Sequence, residues 1–73
     1  MNKENLNNAI AEEFEIEVSD ITPDAPIKET LDLDSLSLLD LITVVERETG
    51  VKLAGTEAVK LLTFQALYDR LGL

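Results

Sequence analysis

Residues 31–50 read LDLDSLSLLDLITVVERETG. Leu31-Asp32-Leu33-Asp34-Ser35-Leu36 ends a loop and opens a helix with a hydroxyl at the turn. Asp34 or Ser35 suits the N-cap, where a side-chain oxygen accepts one of the free backbone N–H groups of the first helical turn. Gly50 suits the stop, because glycine adopts the left-handed backbone that ends helices. The spacing therefore predicts a helix over Ser35–Thr49. At about 100° per residue, Leu38, Leu41, Ile42 and Val45 share a stripe about 100° wide, the expected core face. Leu36, Leu39, Asp40, Thr43 and Arg47 fall on other faces. Two leucines that the core leaves unclaimed, beside a serine, suggest a contact surface.

Toward the N-terminus, Leu6, Ile10 and Phe14 recur at helical spacing with Ala9 beside them, while Lys3, Glu4, Glu12 and Glu13 supply a solvated side. This is a first helix. Residues 14–18 alternate apolar and acidic like a half-buried strand, but no second strand exists to pair with them. Ile16, Val18, Ile21 and Ile27 are instead read as anchors of a long ordered loop, punctuated by Pro23 and Pro26 and ending at Leu31. Beyond Gly50 the pattern predicts a short helix over residues 56–62. Thr63 then caps a last helix in which Phe64, Leu67, Tyr68 and Leu71 are periodic, and Gly72 closes it. The expected fold is all-α: a small four-helix bundle, one domain over residues 1–73, with a long loop between the first and second helices and a short third helix.

The chain has 73 residues, 15 Asp plus Glu against 6 Lys plus Arg, and a net charge of -9. Such a surface repels nucleic-acid phosphates and anionic lipid and favours basic protein partners. There is no histidine and no cysteine. No imidazole is available to activate Ser35 or another hydroxyl, so autonomous catalysis is not expected, and disulfides and thiolate metal sites are excluded. No apolar run approaches the ~20 residues of a membrane span, and residues 1–8 are too polar for a signal peptide. A cytoplasmic monomer that does not insert into membranes is the expectation.

The chain resembles the acyl carrier protein family, and the resemblance spans nearly its whole length. It runs without a gap from the first helix through Asp34, Ser35, Leu36, Asp40, Leu41 and Glu46 to Glu57 and Ala58, then Thr63, Gln65 and Ala66. The resemblance implies that Ser35, within Asp34-Ser35-Leu36, receives 4'-phosphopantetheine from coenzyme A. A separate phosphopantetheinyl transferase performs that attachment and the thiol belongs to the arm, which accounts for the missing histidine and cysteine. The carrier then presents acyl, aminoacyl or polyketide thioesters to acyl-loading ligases and synthases with basic docking surfaces. Asp34 as the cap and Ser35 just inside the helix are compatible roles, and the helix-start amides suit a phosphodiester. The docking surface expected here comprises Leu36, Leu39, Asp40, Thr43, Glu46, Arg47 and Glu57. Leu38, Leu41, Val45, Val59, Leu62 and Tyr68 are expected in the core, where in this family they could also wall in cargo.

Departures from the family pattern are specific. Members of fatty-acid synthesis carry glycine and a small residue before Asp-Ser-Leu, where this chain has Asp32 and Leu33. They carry acid directly after that motif and further along the helix, where this chain has Ser37 and Arg47. This thinned acidic strip points to a dedicated pathway. Two other classes account for less. A helical interaction module without a prosthetic group explains the composition but not the family pattern. A calcium loop beginning at Asp32 would put Ser37 where a glycine is required and Thr43 where a bidentate Glu is required.

Overall fold

The computed structural model describes residues 2–73. Helix α1 spans Lys3–Phe14, a 3₁₀ turn spans Val18–Asp20, and α2 (Ile27–Leu31), α3 (Ser35–Thr49), α4 (Gly55–Ala58) and α5 (Phe64–Leu71) follow. Three of these are long. α1, α3 and α5 correspond to the helices their apolar periodicity predicts, and each begins at a side-chain cap: Asn2 for α1, Asp34 for α3 and Thr63 for α5. α3 stops at Gly50, whose φ of 75° carries its N–H back to the Glu46 carbonyl at 2.8 Å. Among the described residues no helix is long and apolar enough to cross a membrane.

Leu6 and Ile10 of α1, Val44 and Val45 of α3, and Phe64, Leu67 and Tyr68 of α5 meet at the centre. α1 and α3 form the main helix–helix contact. The Tyr68 hydroxyl donates to Asn7 Oδ1 at 2.6 Å and so joins α5 to α1, with Lys3 Nζ 5.3 Å above the ring. Burial raises the Tyr68 phenol above its ordinary pKa, and the Asn7 bond offsets this in part.

α3 buries a different stripe from the one its periodicity suggested. Leu41, Val44 and Val45 are buried and Ile42 packs beside them, whereas Leu38 is half-buried and lies outside the core cluster. The buried face is thus turned about 50° toward Val44. Seven apolar residues from Leu36 to Val45 cover about 280° of the helix circumference, so several stripes fit the sequence equally well. Packing against α1 selects one of them.

The long loop is more structured than its prolines suggest. Pro26, with its fixed φ, precedes α2, in which Ile27 and Leu31 are buried one turn apart. Three backbone bonds tie the loop to the α4–α5 junction: Ile27 N–H to the Leu62 carbonyl (3.0 Å), Phe64 N–H to Ala25 (3.2 Å) and Gln65 N–H to Pro23 (2.9 Å). Ile21 and Ile27 anchor the loop as expected and Ile16 packs on the core, but Val18 opens the 3₁₀ turn and is exposed. α4 is shorter than residues 56–62, because after Ala58 the chain continues in single turns that leave Val59 (59% exposed) and Leu62 (71% exposed) outside. Neither residue belongs to the core to which its apolar character assigned it.

Candidate functional site

α2 delivers the chain to Ser35. It ends at Asp32 in the left-handed conformation (φ 52°), and Leu33 N–H donates back to the Lys28 carbonyl at 2.9 Å. Only glycine adopts this region freely, but a short polar side chain such as Asp tolerates it. Asp32 can therefore stand where the resemblance leads one to expect glycine. The Leu33 side chain packs on the core and fixes the turn. Asp34 and Ser35 follow directly, so the start of α3 is held by buried neighbours on its N-terminal side.

The start of α3 is closed by a reciprocal cap. Asp34 Oδ1 accepts from Leu36 N–H (3.0 Å), Ser37 N–H (2.8 Å) and the Ser37 hydroxyl (3.0 Å), while Ser37 Oγ accepts from Asp34 N–H (2.8 Å). The Ser37 amide and hydroxyl, with help from Leu36 N–H, hold the Asp34 carboxyl below its ordinary value of 3.8. The expectation that the helix-start amides would receive a phosphodiester is accordingly revised. Asp34 already takes Leu36 N–H and Ser37 N–H, and of the first three helical residues only Ser35 keeps an N–H without a partner among the described residues. A carboxylate supplied by the adjoining residue claims those donors first.

Two serines in one turn thus have opposite fates. Ser37 is half-buried and its oxygen is committed to the cap, whereas Ser35 is exposed and its hydroxyl makes no hydrogen bond among the described residues. Only periodicity and cap chemistry separate the two in the sequence, and a serine three residues after an Asp cap is the local signal for the part Ser37 takes in the cap. Leu36 is 75% and Leu39 58% exposed, as the wheel anticipates. Together with Asp40, Thr43, Glu46 and Arg47 they occupy about 120° of arc on the side of α3 opposite its buried face. Thr43 Oγ1 donates to the Leu39 carbonyl at 2.9 Å, Glu46 Oε1 lies 3.9 Å from Lys52 Nζ, and Arg47 Nε lies 3.3 Å from Glu48 Oε2. Glu57 stands apart from this face on α4, where both its oxygens are bonded by Arg70 of α5.

A family model described as the phosphopantetheine attachment site matches residues 4–71. The chain belongs to the acyl carrier protein family. It is 35% identical over 71 residues to polyketide-8 synthase acyl carrier protein 2 of Streptomyces avermitilis, covering 97% of this chain and 82% of that protein. It is also 33% identical over 66 residues to an acyl carrier protein of Thermosynechococcus vestitus, covering 90% and 82%. A third relative, an acyl carrier protein of Rubrobacter xylanophilus, is 31% identical over 64 residues, covering 88% and 79%.

The cofactor of this family is 4'-phosphopantetheine, whose arm supplies the thiol that holds acyl cargo as a thioester. The carrier fits that group. At the start of α3 the Ser35 hydroxyl is exposed and makes no hydrogen bond among the described residues, and the capped turn around it is fixed, features compatible with a flexible arm joined to a hydroxyl. The chain has no cysteine thiol of its own with which cargo could be confused. Members of the family work generally with phosphopantetheinyl transferases and synthases.

Proposed function

We propose that Ser35 is the attachment point, and that residues 1–73 act as a single non-catalytic carrier domain, a monomer in the cytoplasm. The observation that carries this reading is the contrast between Ser35 and Ser37, one exposed and unbonded, the other locked in the cap. Asp34 serves by fixing the helix start and Leu36 by flanking the arm. Leu36, Leu39, Asp40, Thr43, Glu46 and Arg47 form the docking face, on which exposed apolar side chains are rimmed by charge as partner surfaces are. The partners are a phosphopantetheinyl transferase, acyl-loading ligases and synthases with basic surfaces that complement a net charge of -9. Asp32, Leu33, Ser37 and Arg47 favour a dedicated pathway over general fatty-acid synthesis. The relative named as a polyketide-synthase carrier makes polyketide chemistry the first to try.

Incubation with coenzyme A and a broad-specificity phosphopantetheinyl transferase, followed by intact mass, tests the assignment. The wild type and Ser37→Ala should each gain one arm, and Ser35→Ala none while keeping its helical circular dichroism. An arm on Ser35→Ala would move the site elsewhere.

A further inference from the structure

α4 is held by an ion pair. Arg70 of α5 donates through Nε to Glu57 Oε2 and through Nη2 to Glu57 Oε1, the latter at 3.3 Å. One guanidinium therefore occupies both carboxylate oxygens, the two-pronged geometry in which Arg–carboxylate pairs are strongest. The bond holds the Glu57 carboxyl below its ordinary range and raises the Arg70 guanidinium. The helix concerned has four residues, no side-chain cap and one buried side chain, Ala58. A helix so short does not persist on its own. Among the described residues this pair is the one polar side-chain tie from Gly55–Ala58 to the rest of the fold. The carboxylates of the α3 face are not engaged in this way: Asp40 has no side-chain partner among the described residues, and Glu46 meets only Lys52 at 3.9 Å.

We propose that Arg70 is a specificity-determining residue: it masks Glu57 from the basic surfaces of partner enzymes, so that docking charge is confined to α3 and Glu57 serves to hold α4 in place. A partner's Lys or Arg reaching for Glu57 would have to displace a guanidinium already in bidentate contact. The exchange trades one ion pair for another and gains little. The Glu57–Arg70 pair is itself partly exposed, at 37% and 38% of the two side chains. It is therefore open to competition by salt, unlike the apolar packing elsewhere in the fold.

The proposal rests on the carrier reading only through its choice of partner, the phosphopantetheinyl transferase, and a double-mutant cycle tests it. Association rates are measured at low and moderate salt for the wild type, Glu57→Gln, Arg70→Gln and the double variant, with hydrogen exchange on each carrier alone. Glu57→Gln should change association by less than about twofold in the wild-type background, where the carboxylate is masked. Arg70→Gln should speed association severalfold and steepen its salt dependence, and adding Glu57→Gln should abolish that gain. Each single variant should exchange the Val59, Lys60 and Leu61 amides severalfold faster, since their bonds to Gly55, Glu57 and Ala58 depend on α4 staying in place. Equal slowing by Glu57→Gln in both backgrounds, or equal rates for all four proteins, overturns the mask. A wild type that gains no arm would refute the carrier assignment instead, and the exchange rates would still report whether Arg70 holds α4.

Discussion

α2 and α4 are the shortest α-helices of the carrier, five and four residues, and neither has a side-chain cap. They are held in different ways. α2 buries Ile27 and Leu31 and receives a backbone bond between Ile27 N–H and the Leu62 carbonyl, whereas α4 buries Ala58 alone and is fastened by Arg70. Both are too short to form by local propensity, so each owes its existence to what it docks against. Docking through apolar side chains is not weakened by charge screening or by titration, while docking through a half-exposed ion pair is weakened by both. Along the chain the two lie on opposite sides of the capped helix start: α2 leads into the start of α3 at Asp34, and α4 leads into the turns that carry the exposed Val59 and Leu62.

Leu31→Ala should have the largest effect on this contrast. It truncates a buried anchor of α2 and should cost roughly 2–5 kcal/mol, read as a lower melting midpoint in circular dichroism. Because α2 aims the chain at Asp34, arm attachment at Ser35 should also slow, even below the melting range. Val59→Ala on the α4 side should stay within about 0.5 kcal/mol, as exposed substitutions do. Comparable losses in the two variants would erase the distinction between the two helices.

Ser37→Ala should act next most strongly. It removes the acceptor of Asp34 N–H and one donor to Asp34 Oδ1, so the melting temperature should fall by a few degrees and the Asp34 carboxyl should titrate closer to 3.8 in carbon-detected NMR. Ser37→Gln, whose carbonyl can reach the same N–H, should restore the melting temperature. An unchanged Asp34 titration in Ser37→Ala would show that the cap does not depend on this serine.

The smallest effect separates the two helices by acid. Asp34 and Glu57 both have pKa values below their ordinary 3.8 and 4.5, so each stabilises the fold above those values and ceases to do so as pH falls through its lower folded value. On acidification from about pH 5 to about pH 3, the protection of the Val59, Lys60 and Leu61 amides, taken relative to each amide's intrinsic exchange rate at that pH, should fall before that of the α2 amides. In Arg70→Gln this early step should vanish, because Glu57 then has no depressed pKa to lose.

Much of the local geometry around the candidate site is legible in the sequence. An Asp before a Ser-Leu pair, an apolar stripe and a glycine stop place Ser35 at the head of a 15-residue helix, and Leu36 and Leu39 fall outside both the expected and the observed core stripe. Caps and stops are local: a side-chain oxygen bonds an amide two or three residues away, and a glycine turns its own backbone, so a short window of sequence contains the whole interaction. Other features involve partners distant in the chain. Which side of α3 faces inward was undetermined because apolar residues cover most of its circumference, and contact with α1 turned it toward Val44 and away from Leu38. Ile27–Leu31 becomes a helix, and Val59 and Leu62 stay exposed, through backbone bonds between the loop and the α4–α5 junction, about 40 residues away in sequence. Glu57 looks in sequence like one more docking carboxylate. Arg70, 13 residues on, takes both of its oxygens only because α5 folds back beside α4.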